Sequence, residues 1–294
     1  MLPKANKTPL RYPGGKSRAT KTLLEYMPDV EINEYREAFI GGGSMAIEFT
    51  RRYPDTPVWI NDLDPMVYSF WITLRDCASD LVSTLLAAKQ QAGDTVGHRA
   101  LFDECKAFLC DIEHADAFSI AWRFWVVNKC GFSGLTASGF SAQASVSNFS
   151  EKNIRALQSY GNHIKDWKIT NTDYVDLLDG DNGTFIYLDP PYAKVGKDGK
   201  SFLYGKDGVN HKNFDHDRSH EDLQHVDAHC LVSYDNNPHL RSLYKDWVQE
   251  TFELTYTMHS GKAYRENEKD RKELVLYNYD SGKSTVLEAL LEGV

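Results

Sequence analysis

The sequence predicts an α/β protein with a largely parallel sheet, and three observations support this fold class. Short apolar segments alternate with longer amphipathic ones along much of the 294 residues. A glycine-rich turn follows the first such segment, and an Asp-Pro-Pro-Tyr tetrapeptide follows a later one. Alternating strands and helices are typical of a parallel sheet with helices on both faces. Such sheets bind ligands at the turns that follow their strands.

Strands are predicted where β-branched and aromatic residues cluster between turn residues. The first strand, 34–40, enters the turn Gly41–Gly43, and the second strand covers 57–60. Ser44 is expected to cap a helix that ends near Arg52. Later strands are predicted at 167–170, 184–188, 230–234 and 273–279.

A different pattern separates the second strand from the third. Apolar residues recur at i, i+3 and i+4 across about 65–129, which indicates helices, and another helix is predicted from about Ser150. The segment AFSIAWRFWVVNKC is apolar nearly all round. Residues 131–149 are rich in glycine and serine, which favours a hairpin or loop. We therefore predict a sheet domain formed by 1–64 and 166–294, with a mainly helical domain inserted at 65–165.

The composition is that of an ordinary folded protein, with 41% hydrophobic and 26% charged residues. The five cysteines are scattered, which favours a reducing compartment without disulfides or a zinc site. No apolar run approaches the roughly 20 residues of a membrane helix, and no secretory signal is evident. We therefore expect a cytoplasmic protein. A net charge of −9 argues against a protein that coats nucleic acid by charge alone.

The turn Gly41–Gly43 and Asp62 form a candidate nucleotide pocket. Glycines let a ligand approach the backbone and its free N–H groups. An acidic residue about 20 positions later holds ribose hydroxyls in such sites, and Asp62 has this spacing. The alternative is a plain tight turn. Gly14–Ser17 is not a phosphate-binding loop, because Leu10 stands where that motif requires glycine.

The tetrapeptide Asp189, Pro190, Pro191 and Tyr192 directly follows an apolar strand. The two prolines fix the backbone and remove two N–H donors. The carboxylate of Asp189 and the carbonyl of Pro190 remain as acceptors beside the ring of Tyr192. This arrangement suits a planar amine with two N–H bonds. A strand-ending turn is the alternative, and the nearby nucleotide pattern favours the functional interpretation.

In order and spacing, these motifs resemble those of the Dam-like, D12-class DNA adenine-N6 methyltransferases. The resemblance extends from RYPGGK at 11–16 to KELVLYNY at 272–279. EAFIGGGSMAIEF is similar to the family's Phe-x-Gly-x-Gly motif, NDLDP and TDYVDLL to its two acidic motifs, and DPPY to its catalytic signature. NKCGFSGL is similar to its recognition hairpin. The resemblance implies a Rossmann-like, S-adenosylmethionine-dependent methyltransferase sheet with an inserted, mainly helical target-recognition domain.

The resemblance also implies an activity and its residues. The protein would be a site-specific DNA adenine-N6 methyltransferase that transfers a methyl group from S-adenosylmethionine to a flipped-out adenine in double-stranded DNA. It would act in the cytoplasm of a bacterial cell or phage-infected host, in a restriction–modification setting and without a metal. The catalytic residues would be Asp189, Pro190, Pro191 and Tyr192. The cofactor would contact Tyr12, Lys16, Phe39, Gly41, Gly43, Asp62, Asp173 and Asp189. DNA would contact Asn128, Lys129, Phe132, Ser133 and Gly134.

Individual roles follow from the same resemblance. Tyr12 and Lys16 would contact the methionine end of the cofactor, Asp62 its ribose and Asp173 its adenine. Thr136 stands where the family often has a basic residue, which argues against GATC as the recognition sequence.

Two other functions remain open from the sequence. One is methylation of cytosine N4 or of RNA, because the same chemistry serves any exocyclic amine. The other is a methyltransferase-like module that only binds DNA or a partner. A polar segment, 193–218, is expected to form a long loop. Histidines at 211, 216, 220, 225 and 229 fall outside the family pattern and are expected to be solvated rather than to bind a metal.

Overall fold

The computed structural model describes residues 8–12, 14–191, 214–253 and 272–281, and its strands form one sheet. The strands are β1 (Glu34–Glu37), β2 (Val58–Asn61), β3 (Lys168–Thr170), β4 (Thr184–Leu188), β5 (His229–Asp235), β6 (Val248–Glu253) and β7 (Lys272–Tyr277). Within the described residues, their spatial order is β3-β2-β1-β4-β5-β7-β6. Strands β1 to β5 are parallel, whereas β7 runs antiparallel to both β5 and β6. The predicted α/β class is confirmed.

The strand order reverses between β1 and β4, and this reversal creates the cleft. The chain passes from β1 outward to β2 and β3 and then returns to β4 on the other side of β1. Glu34 is paired with Thr184 and Glu37 with Tyr187, so the two strands end side by side. Ligands bind outside the carboxyl ends of strands at such a reversal.

Helices surround the sheet and account for most of the chain between β2 and β3. They are α1 (Thr20–Leu24), α2 (Ser44–Arg52), α3 (Pro65–Asp76), α4 (Ala78–Ala92), α5 (Thr95–Phe108), α6 (Ala117–Cys130), α7 (Ala142–Ser147), α8 (Glu151–His163), α9 (His216–Leu223) and α10 (Pro238–Leu243), with a 3₁₀ helix at Tyr174–Leu177. Asp64, Asp94 and Asp116 precede α3, α5 and α6, and their carboxylates accept hydrogen bonds from N–H groups of the first turn.

The alternation of side chains along β1 and β4 divides the core into two clusters. Tyr35 and Phe185 pack on one face of the sheet, and Ala38 and Ile186 on the other. All five residues of β4 are buried, as expected for a central parallel strand. Trp71 of α3 belongs to the same cluster as Tyr35, so the helices of 65–165 share a core with the sheet. The two-domain division remains a prediction.

Two local predictions differ from the structure in the first half of the chain. The capping position of α2 is occupied by Gly43, not Ser44, and the Ser44 hydroxyl lies 3.0 Å from that of Ser17. The predicted hairpin at 131–149 contains an isolated bridge between Gly131 and Phe140, and α7 occupies its second half. That helix begins there because the Ser141 hydroxyl caps it.

Two further differences lie in the second half. The predicted loop at 193–218 lies mostly outside the described residues, but α9 already begins at His216, because Asp215 caps it. The edge strand β6 was not predicted, since its polar and apolar residues do not form a clear apolar run. Across the ranges that the structure describes, no helix is both long and apolar enough to cross a membrane.

Candidate active site

The carboxyl ends of β1, β2 and β4 border an open cleft. The predicted site residues that line it are Tyr12, Lys16, Phe39, Gly41, Gly43, Asp62, Asp189, Pro190 and Pro191. The structure therefore brings together residues that are up to 179 positions apart, since Tyr12 and Pro191 share this lining.

The glycine turn after β1 forms the floor of the cleft. Gly41 has φ +43° and Gly43 has φ +71°, which are values that residues with a side chain rarely adopt. A Cβ atom on Gly41 would lie 2.7 Å from the ring of Tyr12, and one on Gly43 would lie 2.5 Å from the ring of Trp71. The Trp71 indole N–H also donates to the Gly41 carbonyl at 3.0 Å. Both the backbone and its neighbours therefore require glycine.

Asp62, directly after β2, is tied to this turn. Its Oδ2 accepts the N–H of Gly41 at 2.9 Å, and its Oδ1 accepts the N–H of Asp64 at 3.0 Å. Burial and the neighbouring Asp64 carboxylate raise the pKa of Asp62 to about 7. Each carboxylate oxygen accepts more than one hydrogen bond, so Asp62 is still able to accept hydroxyl donors from a ligand in the cleft.

Asp189 follows β4 and is held from two sides. The ammonium of Lys16 donates to its two oxygens at 2.8 and 3.0 Å. The Ser233 hydroxyl of β5 donates to Asp189 Oδ1 at 3.2 Å and lies 2.8 Å from the Tyr187 hydroxyl. The Asp189 side chain is 21% exposed and that of Lys16 only 2%, so the carboxylate reaches the cleft while the cation lies behind it.

Two carboxylates near the cleft were not predicted from the sequence. Glu37 lines the cleft at the end of β1, accepts the Tyr35 hydroxyl at 2.8 Å, and burial raises its pKa to about 8. Glu273, at the head of β7, lies 3.2 Å from the Lys16 ammonium. Glu37 ends the charged strand EYRE and Glu273 lies near the start of KELVLY, so no local sequence signal separates either carboxylate from one that faces solvent.

Asp173 does not line the cleft, unlike the other predicted cofactor residues. Its carboxylate caps the 3₁₀ helix by accepting the N–H of Val175 at 3.2 Å, and it lies 3.8 Å from Arg218. The ring of Phe39, which does line the cleft, lies 5.6 Å from that of Tyr174, the next residue. Asp173 is thus beside the cleft, and its contact with a cofactor adenine remains a prediction.

The remaining residues of interest are Tyr192 and the histidines. Tyr192 and His211 lie outside the described residues. His216 is half-buried, with its Nδ1 3.2 Å from the Tyr234 hydroxyl, so it is packed rather than solvated. In the part of the chain that the structure describes, no three His, Cys, Asp or Glu side chains are grouped as a metal site.

The predicted recognition segment is anchored through Asn128. The Asn128 amide accepts the backbone N–H of Arg11 at 2.9 Å and donates to the carbonyls of Arg11 and Gly134 at 2.7 and 2.8 Å. The guanidinium of Arg11 in turn donates to the carbonyls of Gly131 and Phe132 at 2.6 and 2.9 Å. We call residues 131–134 the recognition loop. These bonds join the recognition loop to Arg11, the residue directly before Tyr12, which lines the cleft.

Exposure divides the five predicted DNA-contact residues. Phe132 is 62% exposed and Ser133 is half-buried, whereas Asn128, Lys129 and Gly134 are buried. Burial and the nearby Arg11 lower the pKa of Lys129 to about 7. Of the buried three, Asn128 supports the loop from within by donating to the carbonyl of Gly134. A direct DNA contact remains a prediction for all five residues.

The fold and cleft define an α/β protein with a candidate ligand site at the carboxyl edge of its sheet. Comparison with known proteins gives the family. The model of the D12 class N6 adenine-specific DNA methyltransferase family matches residues 12–266. The chain therefore belongs to this family and is a DNA adenine-N6 methyltransferase.

Its relatives are similar along most of their length. The chain is 22% identical over 278 residues to the type II methyltransferase M.CviBI of Paramecium bursaria Chlorella virus NC1A. The similar region covers 92% of this chain and 98% of that protein. It is 22% identical over 268 residues to the type II methyltransferase M1.LlaDCHI of Lactococcus lactis subsp. cremoris, with coverages of 84% and 87%. It is 21% identical over 220 residues to the type II methyltransferase M.MjaIII of Methanocaldococcus jannaschii, with coverages of 68% and 74%.

Proposed function

We propose that this enzyme transfers a methyl group from S-adenosylmethionine to N6 of an adenine flipped out of double-stranded DNA. The observation that carries the proposal is that Asp189 and Pro190 line the same cleft as the glycine turn Gly41–Gly43 and Asp62. A site for a nucleoside-like donor and a site for an amine thus share one cleft. Transfer between two bound molecules requires this proximity.

The residues of the cleft fit S-adenosylmethionine. Asp62 offers acceptors for ribose hydroxyls, and Phe39 offers an apolar surface for the adenine ring, which Asp173 would contact from beside the cleft. Tyr12, whose ring lies against Gly41, and Lys16 also line the cleft, and they would contact the methionine end. When bound, S-adenosylmethionine supplies a methyl group on a positively charged sulfur that is a good leaving group.

Asp189 and Pro190 would bind the amine of the target base. An adenine inside the duplex is out of reach, so it must be flipped into the cleft. Its two N6 hydrogens would then be donated to the Asp189 carboxylate and the Pro190 carbonyl. These bonds localise the nitrogen lone pair and stabilise the positive charge that develops on the nitrogen. Tyr192, which lies outside the described residues, would stack on the base.

Alignment accounts for much of the expected acceleration. Holding two reactants in the correct geometry lowers a barrier by up to roughly 7–11 kcal/mol. Here Lys16 and Ser233 fix the Asp189 carboxylate, and the two prolines fix the backbone after it.

The DNA would lie across the cleft and the recognition loop. Phe132 is the exposed apolar side chain of this loop, and Arg11 connects the loop to the segment that carries Tyr12 and Lys16. The relatives are named type II methyltransferases, which supports a restriction–modification setting for this enzyme. A DNA substrate also favours the cytoplasm of a bacterial cell or phage-infected host.

Mass spectrometry of nucleosides tests the proposal. Unmethylated genomic DNA is incubated with the protein and S-adenosylmethionine and then digested. N6-methyladenine is expected, and sequencing of the modified sites would give the recognition sequence. N4-methylcytosine would contradict the assigned base, and cofactor binding without any methylated nucleoside would contradict the proposed activity.

A further inference from the structure

The ammonium of Lys16 lies between two carboxylates. It contacts the two oxygens of Asp189 at 2.8 and 3.0 Å and Oε1 of Glu273 at 3.2 Å. The side chains of Lys16 and Glu273 are each 2% exposed. Charged groups so deeply buried destabilise a protein unless they are paired, and here one cation is shared by two anions.

The topology of the sheet explains how Glu273 reaches the active site. Strand β7 runs antiparallel to β5, and Glu273 is paired with Asp235, the last residue of β5. The first residues of β7 therefore lie at the edge where the parallel strands end. Asp189 stands at the same edge, directly after β4.

We propose that Glu273 is a positioning residue for methyl transfer, acting through Lys16 on Asp189. The inference rests on the proposed role of Asp189 in binding the target amine. Glu273 and the carbonyl of Gly14, 3.2 Å from the ammonium, hold Lys16 in place. The ammonium then fixes the Asp189 carboxylate, whose Oδ1 also accepts the Ser233 hydroxyl.

Glu273 also sets the charge of the group. An isolated Lys16–Asp189 pair would be neutral, and the lysine would offset the negative charge that the target amine needs. With Glu273 ionised, the three groups carry a net charge of −1. This charge is available to stabilise the positive charge that develops on the amine nitrogen, and its Glu273 and Lys16 members are each only 2% exposed.

Kinetics of the full-length Glu273→Gln variant test the inference. Gln keeps the size of the side chain and removes its charge. The single-turnover rate is expected to fall by about 10²-fold, the size of effect that a small misplacement of a catalytic group produces. The KM for DNA should stay within about twofold, because Glu273 does not line the cleft. Glu250→Gln is the matched control, since Glu250 is an exposed carboxylate on the neighbouring strand β6.

A double-mutant cycle with Lys16→Met separates positioning from a general structural role. If Glu273 acts through Lys16, Glu273→Gln causes no further loss of rate in the Lys16→Met background. Multiplication of the two separate losses would overturn the inference, because Glu273 would then act independently of Lys16.

Two more results complete the test. Glu273→Asp keeps the negative charge on a shorter side chain, so its rate should lie between those of Glu273→Gln and wild type. It is also the test variant if Glu273→Gln fails to fold. A rate for Glu273→Gln within twofold of wild type, or no recovery in Glu273→Asp, would contradict the inference alone. Wild-type protein that forms no N6-methyladenine would instead contradict the proposed function.

Discussion

The ammonium of Lys16 donates to both carboxylate oxygens of Asp189, at 2.8 and 3.0 Å. The two residues are 173 positions apart and belong to two separate motifs, RYPGGK and DPPY. The pair connects the cofactor side of the cleft to the proposed amine-binding side. The lysine of the first motif is therefore placed to orient the acid of the second.

Removing the charge of Asp189 should abolish methyl transfer. In Asp189→Asn, the single-turnover rate is expected to fall by at least about 10²-fold, as when one preorganised stabilising group is lost. The circular dichroism spectrum and S-adenosylmethionine binding should be retained. Asp166→Asn is the control, because the Asp166 side chain is 85% exposed. A wild-type rate in Asp189→Asn would remove Asp189 from the mechanism.

A methyl group on the glycine turn should disturb both stability and the cleft. Gly43→Ala places a Cβ atom 2.5 Å from the Trp71 ring at φ +71°. We expect about 1–2 kcal/mol of backbone strain and about 1–3 kcal/mol of overpacking, with weaker cofactor binding.

Gly139 serves as the control for this change. It has no positive φ, and a Cβ atom there would meet nothing within 4 Å. Gly139→Ala should therefore leave both the stability in chemical denaturation and cofactor binding nearly unchanged. Equal stabilities of the two variants would show that the turn at Gly43 does not require glycine.

Loss of the Asn128 amide should loosen the recognition loop. Asn128→Ala leaves a buried backbone N–H of Arg11 and a buried carbonyl of Gly134 without this partner, at a cost of about 1–3 kcal/mol. The KM for DNA should rise more than kcat falls, since the loop lies away from the reacting groups. Asn162→Ala, at an exposed position, should change neither quantity. An unchanged KM in Asn128→Ala would separate this loop from DNA binding.

Phe132 should contribute directly to DNA affinity. Its ring is 62% exposed, and contacts of aromatic rings with bases are worth about 1–3 kcal/mol. Phe132→Ala should weaken DNA binding by about 5- to 150-fold in a fluorescence anisotropy titration, a range that follows from those energies. Val146→Ala, at a residue 63% exposed on α7, serves as the control. Equal affinities would refute the predicted contact.

Glu37 should make the stability of the ligand-free enzyme fall as the pH rises. Burial raises its pKa to about 8 from an ordinary value of 4.5, and unfolding restores the ordinary value. Between pH 4.5 and pH 8 the folded protein keeps the Glu37 proton that the unfolded protein has lost. The contribution of Glu37 to stability is therefore fully present below pH 4.5 and is lost progressively as the pH rises to 8.

Glu37→Gln is expected to remove this dependence, because Gln resembles the protonated acid and still accepts the Tyr35 hydroxyl. The Tm of the variant should be near that of wild type at pH 4.5 and at least several degrees higher at pH 8.5, with about 2–4 °C for each kcal/mol. Glu151→Gln, at an exposed residue, is the control. Parallel Tm curves for wild type and Glu37→Gln would contradict the raised pKa.

Much of the fold was predictable because local patterns decided it. β4 and α6 were read from the sequence with the bounds that the structure shows, since each is a continuous apolar segment between clear breaks. The edge strand β6 was missed, because it has no comparable apolar pattern. The capping role of Ser44 was wrong, because the positive φ of Gly43 already accommodates the start of α2.

In the candidate site, too, residues marked by local patterns were predicted and residues without such a pattern were not. Glycine spacing and the rigid DPPY tetrapeptide identified Gly41, Asp62 and Asp189, because their chemistry depends on residues that are close in the chain. Glu37 and Glu273 were missed, since nothing local distinguishes a carboxylate that faces a cleft from one that faces solvent.

The sequence by itself determined the fold class, the family and the order of the motifs, because these are carried by residue types at short spacings. Only the tertiary structure decided which of the predicted residues meet. It placed Lys16 between Asp189 and Glu273, set Asp173 beside the cleft and buried Asn128 beneath the recognition loop. The physical reason is that these relationships depend on strand order and on antiparallel β7, which bring distant residues to one edge of the sheet.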